Sequence, residues 1–266
     1  MPRLPTPTRP AATFGRYRLI EPLGQGGMAV VYRAVALGPQ GFERPVAIKR
    51  ILPQFAQEPS FIKMLAAEAQ LVSRLQHPGI VQLLEFNEVD GECYLAMELV
   101  EGLDLARLLA RCAEAGQSVP QAVACYVVGS LATALGYAHG LADERGAPLQ
   151  IVHRDVSPSN VLISTAGAVK LLDFGVAKAT NQLGEKTRTG LVKGKCSYMA
   201  PEQAEALPLD GRADLFALGV VLHEVLTGRR LFKAETDLGT LKLLLDMPVP
   251  APSSIVHGLD PELDTL

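Results

Sequence analysis

Between Tyr17 and Met97 the chain runs in short apolar stretches: YRLIEPL, AVVYRAVAL, RPVAIKRIL, IVQLLEF and CYLAMEL. β-Branched and aromatic residues recur in them and glycine-bearing turns separate several, so each predicts a strand. One stretch has a different period. Phe61, Leu65, Glu68, Val72 and Leu75 recur at helical spacing, with His77-Pro78-Gly79 after them, and predict a helix over 61–75. After Gly102 the text becomes helical, with short β-like runs only at LQIVH, NVLIS and VKLLD. These elements predict an α+β chain. A small β-rich lobe with one helix spans residues 13–100, a hinge lies near Glu98 to Gly102, and a larger, mainly helical lobe spans 101–266, the two framing a cleft. Residues 1–12 hold four prolines and little apolar material, and read as a flexible tail.

Composition narrows the class. A length of 266 residues suits one large domain or two lobes sharing a core, and 48% hydrophobic against 20% charged residues excludes disorder over most of it. With 25 basic and 28 acidic residues, the net charge of −3 exerts no bulk pull toward nucleic acid or acidic membrane. Cys93, Cys112, Cys125 and Cys196 form no CxxC pair, which argues against a zinc ribbon or a disulfide framework and for reduced, cytoplasmic thiols. The opening MPRLPTPTRP has no apolar signal region. Residues 115–142 carry no Asp, Glu, Lys or Arg, but they include Gln117, Pro120, Gln121, His139 and several glycines. A helix buried in a soluble core fits this stretch better than a membrane span.

Four clusters carry candidate chemistry. Gly24, Gly26 and Gly27 lie between two strand-like runs, where main-chain amides can close over phosphates without a Cβ in the way; a plain glycine-rich hairpin is the other reading. Lys49 ends a strand, and Glu68 follows nineteen positions later on the helix. A lysine aimed at phosphates needs such a carboxylate to orient it, although either residue alone would usually be a solvated charge. His153-Arg154-Asp155 is followed five residues on by Asn160, and Asp173-Phe174-Gly175 comes thirteen after that. A carboxylate to take a hydroxyl proton, with an amide and a second carboxylate for Mg²⁺, is the minimum for hydroxyl attack on ATP. Fourth is Tyr198-Met199-Ala200-Pro201-Glu202, with Asp214 beyond it on an apolar run.

In this order, the blocks resemble the eukaryotic-like protein kinase family, with GQGGMAVVY and YMAPEQA closest to its bacterial serine/threonine branch. The resemblance implies a bilobal kinase fold, use of ATP with Mg²⁺ (or Mn²⁺), and Ser/Thr-bearing protein substrates; it leaves a homodimer open. It implies that Val31 and Ala47 above and Leu162 below enclose adenine, that the main chain of Glu98 to Val100 reads its edge beside the gatekeeper Met97, and that Asp104 bonds the ribose. Lys49, paired with Glu68, would hold the α- and β-phosphates; Asp155 would be the catalytic base; Asn160 and Asp173 would hold the metal. His153, Phe174 and Val72 would be packing residues, and Asp214 would anchor the catalytic-loop backbone. Arg154 implies control by phosphorylation of the segment from Asp173 to Glu202, which holds Thr180, with Thr187 and Thr189 at the autophosphorylation spacing; a threonine-rich loop with no switch is the plainer alternative.

Three departures matter. Ala29 stands where the family usually has a third glycine. Ser157 stands where a catalytic lysine is usual, and Gly194-Lys195 replaces Gly-Thr, as though lysine and threonine had exchanged loops. Lys195 is therefore expected to replace the missing charge near the transferred phosphoryl. Third, the chain stops at Leu266, before the helices that in the family supply an arginine for Glu202, so a truncated fragment with part of its core uncovered is expected. A pseudokinase acting through partner contacts is the alternative function. A small-molecule kinase fits less well, having no use for a peptide platform at Ala200-Pro201-Glu202.

Overall fold

The computed structural model describes residues 12–56, 58–174 and 196–265. They divide into two compact units, one holding residues up to Arg74 together with Gln82–Leu99, the other holding Leu75–Val81 and everything from Val100 onward.

The first unit is a six-stranded sheet. Its strands are β1 (Thr13–Phe14), β2 (Tyr17–Gln25), β3 (Ala29–Leu37), β4 (Glu43–Ile51), β5 (Leu83–Val89) and β6 (Glu92–Glu98), in the order β1-β2-β3-β4-β6-β5. All pairs are antiparallel. Period-2 alternation divides the residues between its faces. One face packs Tyr17, Leu19, Ala34, Val46, Ile48, Tyr94 and Ala96 into a core with Phe14. The rings of Tyr17 and Tyr94 meet edge to face, and Arg50 lies over the Phe14 ring. Two helices complete the unit: α1 (Pro53–Ala56) and α2 (Pro59–Val72), the latter burying Leu65 and Ala69.

The sheet of the second unit is small, β7 (Gly102–Asp104), β8 (Val161–Ser164) and β9 (Val169–Leu171). Helices make up the rest: α3 (Leu105–Glu114), α4 (Gln121–His139), α5 (Pro201–Ala204), α6 (Gly211–Thr227), α7 (Asp237–Asp246) and α8 (Pro252–Ile255). The charge-free stretch forms α4, which passes by length and composition alone for a membrane span. Its buried residues Ala124, Val127, Leu131, Ala134, Leu135 and Ala138 recur every three or four positions and α4 packs against α6, as in a core helix. The apolar run of α6 is buried on nearly all sides. That helix stops at Gly228, whose φ of 67° is a left-handed conformation that costs glycine little.

Three predicted elements differ. The helix over 61–75 ends at Val72; Leu75 belongs to the second unit, and residues 79–81 run beside β9 through Leu171 N–H to Gly79 (2.8 Å) and Val81 N–H to Leu171 (2.9 Å). The strand expected from Ile80 consequently starts at Leu83. LQIVH forms no strand, because two main-chain amides at and just beyond its end, those of His153 and Arg154, bond a side chain instead of a ladder.

At the edge of the first unit's core, Glu85 gathers polar partners. It accepts from Tyr17 Oη (2.6 Å), Asn87 Nδ2 (2.8 Å) and Tyr94 Oη (3.1 Å), and it pairs with Arg16. Burial pushes its carboxyl up, but the hydrogen bonds and the Arg16 charge outweigh burial and hold it below its ordinary range. A carboxylate depressed on folding stabilises above its unfolded-state value, and that stability is lost as pH falls through the lower folded value. Glu85→Gln is therefore expected to destabilise on the order of 1.5 kcal/mol at neutral pH, with the melting-temperature gap to the parent closing as pH is lowered through the carboxylate range. A gap independent of pH would contradict this assignment.

Candidate active site

Register places the phosphate-binding candidates of the first unit. Gly24 lies opposite Val31, Val31 opposite Lys49, and Lys49 opposite Leu95, in one row across four strands. Ala47, two residues before Lys49 and opposite Met97, shares that face. Val31, Ala47, Lys49 and Met97 are thus on the face opposite the aromatic core. The glycine-rich segment is the turn of a hairpin between β2 and β3, closed by the Gly26 N–H on the Ala29 carbonyl (2.8 Å). Gly27 is in that turn. A Cβ at Gly24 would meet nothing within 4 Å, and one at Gly26 only the Ala29 carbonyl at 3.8 Å. The fold's own packing therefore does not require glycine at either position, and there is room for a group to approach the main chain. Ala29, the departure from the family's third glycine, is buried. Glu68 lies on α2 in the same unit.

In the second unit the chemistry is organised around Asp214, only 1% exposed and set in the first turn of α6. Its Oδ2 accepts from His153 N–H (2.7 Å) and its Oδ1 from Arg154 N–H (2.8 Å), the anchor expected for this loop. His139, at the end of α4, adds a third bond from Nε2 to Oδ2 (2.8 Å). A Cβ on Gly211 would come within 2.7 Å of the His139 ring, so glycine at the start of α6 is what lets that imidazole reach the carboxylate.

His153 is fully buried, and burial pushes its pKa down. Its Nδ1 accepts from Asp155 N–H (3.2 Å), so its Nε2 is the donor to the Leu172 carbonyl (2.7 Å). Its ring meets Phe174 edge to face at 4.7 Å. One neutral imidazole thus ties the segment of Asp155 to that of Asp173.

Asn160 closes the cluster. Its Nδ2 donates to the Asp155 carbonyl (2.8 Å) and to Asp155 Oδ2 (2.9 Å), while its own main-chain carbonyl accepts from Leu172 N–H (2.8 Å). Asp155, Asn160 and the residue before Asp173 are thereby joined. Arg154 (φ 64°) and Asp173 (φ 44°) both adopt left-handed backbone, which costs roughly 1–3 kcal/mol per non-glycine residue and is kept where surrounding bonds over-determine it.

The donor set suits a hard cation. The Asn160 amide nitrogen is committed to Asp155, leaving its side-chain oxygen, with the Asp173 carboxylate, as ligands of the type Mg²⁺ prefers. No group of three or more His, Cys, Asp or Glu placed to hold a metal ion is present among the described residues. That is compatible with Mg²⁺, which commonly binds through one or two carboxylates plus waters and substrate phosphates.

Other candidates fall into place separately. Asp104 and Leu162 are directly opposed across β7 and β8, and the Asp104 carboxylate caps α3 through Arg107 N–H (2.8 Å). Val100 opens the second unit's main stretch. The Nε of Arg154 is buried with no hydrogen-bond partner among the described residues, while its carbonyl accepts from Gln203 Nε2 (2.9 Å). Ser157 is 3% exposed and its hydroxyl pairs with that of Ser159 (3.1 Å). Glu202 lines a cavity of about 590 Å³ together with Leu207, Arg212 and Phe216. Gly175, Thr180, Thr187, Thr189, Gly194 and Lys195 lie outside the described residues. His139 and Gly211 carry no motif signal; their roles come from contacts between distant parts of the chain.

A family model described as Protein kinase domain matches residues 17–254. The chain is 44% identical over 253 residues to the tyrosine-protein kinase MasK of Myxococcus xanthus, covering 95% of this chain and 39% of that protein. It is 38% identical over 260 residues to the serine/threonine-protein kinase PknH of Mycobacterium tuberculosis, covering 97% and 39% respectively. The crystal structure of the M. tuberculosis PknI kinase domain matches with a TM-score of 0.69 at 27% identity, over 97% of this chain and 88% of that one. The chain spans about two-fifths of the length of these curated relatives. The domain match over nearly the whole chain and the likeness to a solved kinase domain agree with the linked Asp155, Asn160 and Asp173 segments: the chain belongs to the protein kinase family and has its fold.

Proposed function

We propose that this chain is a cytoplasmic protein serine/threonine kinase that transfers the γ-phosphoryl of Mg-ATP to protein hydroxyls and phosphorylates its own activation segment. The observation that carries the reading is the bonding of Asn160 to the Asp155 carboxylate together with the bond from Leu172 to Asn160. It supports a base, an amide oxygen and a second carboxylate gathered for one reaction. The serine/threonine preference is supported by the PknH likeness and by Ser157 and Ser159, which stand where tyrosine-specific members carry an arginine; the likeness to MasK favours tyrosine.

Asp155 accepts the proton of the attacking hydroxyl. Its bond from Asn160 Nδ2 to Oδ2 holds the carboxylate in place for that transfer. Asn160 and Asp173 hold Mg²⁺, which when bound neutralises the phosphate oxygens. In the first unit, Lys49 holds the α- and β-phosphates with Glu68 as its partner, the glycine-rich turn covers the phosphates, and Val31 and Ala47 flank adenine. In the second, Leu162 packs against the base, Asp104 meets the ribose and the main chain up to Val100 continues the hinge. Arg154, with its buried Nε, receives a phosphate placed on Thr187 or Thr189. Lys195 supplies the positive charge that Ser157 cannot. A second reading, a pseudokinase working by partner contact, is favoured by Ser157 itself, a neutral and buried group at the usual lysine position.

Incubation with Mg-ATP is expected to add phosphate mass to the parent and none to Asp155→Asn, with peptide mapping placing it on Thr187 or Thr189. Phosphate found only on tyrosine would overturn the serine/threonine assignment, and a folded parent that gains no mass would favour the pseudokinase. Lys195→Met is expected to keep the parent's melting temperature and lose on the order of 100-fold in activity, the cost of removing one electrostatic stabiliser of the transferring group. Full activity would return Lys195 to the role of a loop lysine.

A further inference from the structure

The chain passes between its two units after Arg74, after Val81 and after Leu99. Gln82 and Glu98 stand beside two of these crossings, at the open end of the hairpin formed by β5 and β6. They are joined twice. Glu98 N–H donates to the Gln82 carbonyl (3.0 Å), and Gln82 N–H donates to Glu98 Oε1 (2.9 Å). In a regular hydrogen-bonded antiparallel rung, each residue's amide donates to the other's main-chain carbonyl. Here only half of that rung is main chain. The Glu98 carboxylate receives the Gln82 amide in place of the Glu98 carbonyl.

We propose that the Glu98 side chain is a positioning residue for adenine. By taking the Gln82 amide it directs that donor away from its own main-chain carbonyl and holds residues 98 and 82 together where the chain leaves the first unit. The inference rests on the kinase reading above, in which the main chain of Glu98 to Val100 meets the adenine edge, and it adds a role for the side chain. The chemistry selects a base with a donor at its edge, such as the 6-amino group of adenine. Without the carboxylate, Gln82 N–H reverts to the regular rung and becomes a second donor on the carbonyl that the amino group uses, drawing that carbonyl toward residue 82 and weakening its contact with the base. Glutamine at position 98 keeps a side-chain oxygen of the same reach, so it preserves the staple without the charge.

The test compares ATP with purine riboside triphosphate, which lacks the 6-amino group, by calorimetry with Mg²⁺ on the parent, Glu98→Ala and Glu98→Gln. The parent is expected to prefer ATP by about three- to tenfold, the range of one net hydrogen bond. Glu98→Ala should bring the two nucleotides within about twofold of each other, chiefly by weakening ATP, and Glu98→Gln should keep the parent's ratio. A general loosening of the fold would weaken both nucleotides alike, so the ratio separates positioning from stability. An unchanged ratio in Glu98→Ala, or an equal loss in Glu98→Gln, would overturn the proposal while leaving the kinase reading intact. A folded parent that binds neither nucleotide would overturn both.

Discussion

A buried carboxylate holds the loop that carries Asp155. Asp214 sits in the interior of the second unit, where an uncompensated charge would cost several kcal/mol, and it is satisfied by His153 N–H, Arg154 N–H and His139 Nε2. The loop in turn needs Asp214, since a left-handed Arg154 is not a conformation that a free chain would keep. The two costs offset each other. From that fixed point the order passes through neutral His153 to Leu172, and through Asn160 to Asp155, so that the segments bearing Asp155 and Asp173 are held by one set of bonds. α6 can provide the anchor because it is rigid and buried on nearly all sides, and glycine at position 211 lets His139 come close enough to complete it.

The first unit separates stability from chemistry by strand alternation. One face of its sheet is occupied by Tyr17, Tyr94, Ile48 and their neighbours, with Glu85 satisfying the two phenols at the edge. The other face presents Val31, Ala47, Lys49 and Met97. A register slip of one residue would exchange the two sets, placing a lysine in an aromatic core. The core therefore protects the position of Lys49 without touching it, and the glycines of the neighbouring turn are left open because nothing in the sheet needs the space.

Much of this was legible beforehand, and the reason differs from one feature to another. AVVYRAVAL forms a strand with the bounds of its apolar run, because both neighbours of β3 are local antiparallel partners. The charge-free stretch was readable as a core helix from its small and polar residues. LQIVH was misread as β-like because its pattern is that of a strand, whereas the amides of His153 and Arg154 bond a carboxylate some sixty residues away. The helix through Leu75 was read too long for a similar reason: Leu75 has helical spacing, but the segment after it is drawn to Leu171.

By itself the sequence determined the residue types, their order and the short-range periods, which is enough for the α+β class and for the cluster of Lys49, Glu68, Asp155, Asn160 and Asp173 to mark a phosphoryl-transfer family. The class signals are local, carried by spacings along the chain that elementary geometry converts into faces and turns, whereas the family signal is a resemblance of motifs. Only the tertiary structure decided that His139 is the third donor to Asp214, that Ser157 spends its hydroxyl on Ser159, and that Glu98 bonds Gln82 through its side chain. Hydrogen-bond partners of buried groups are set by which atoms compaction brings within about 3 Å, and no periodicity encodes that distance.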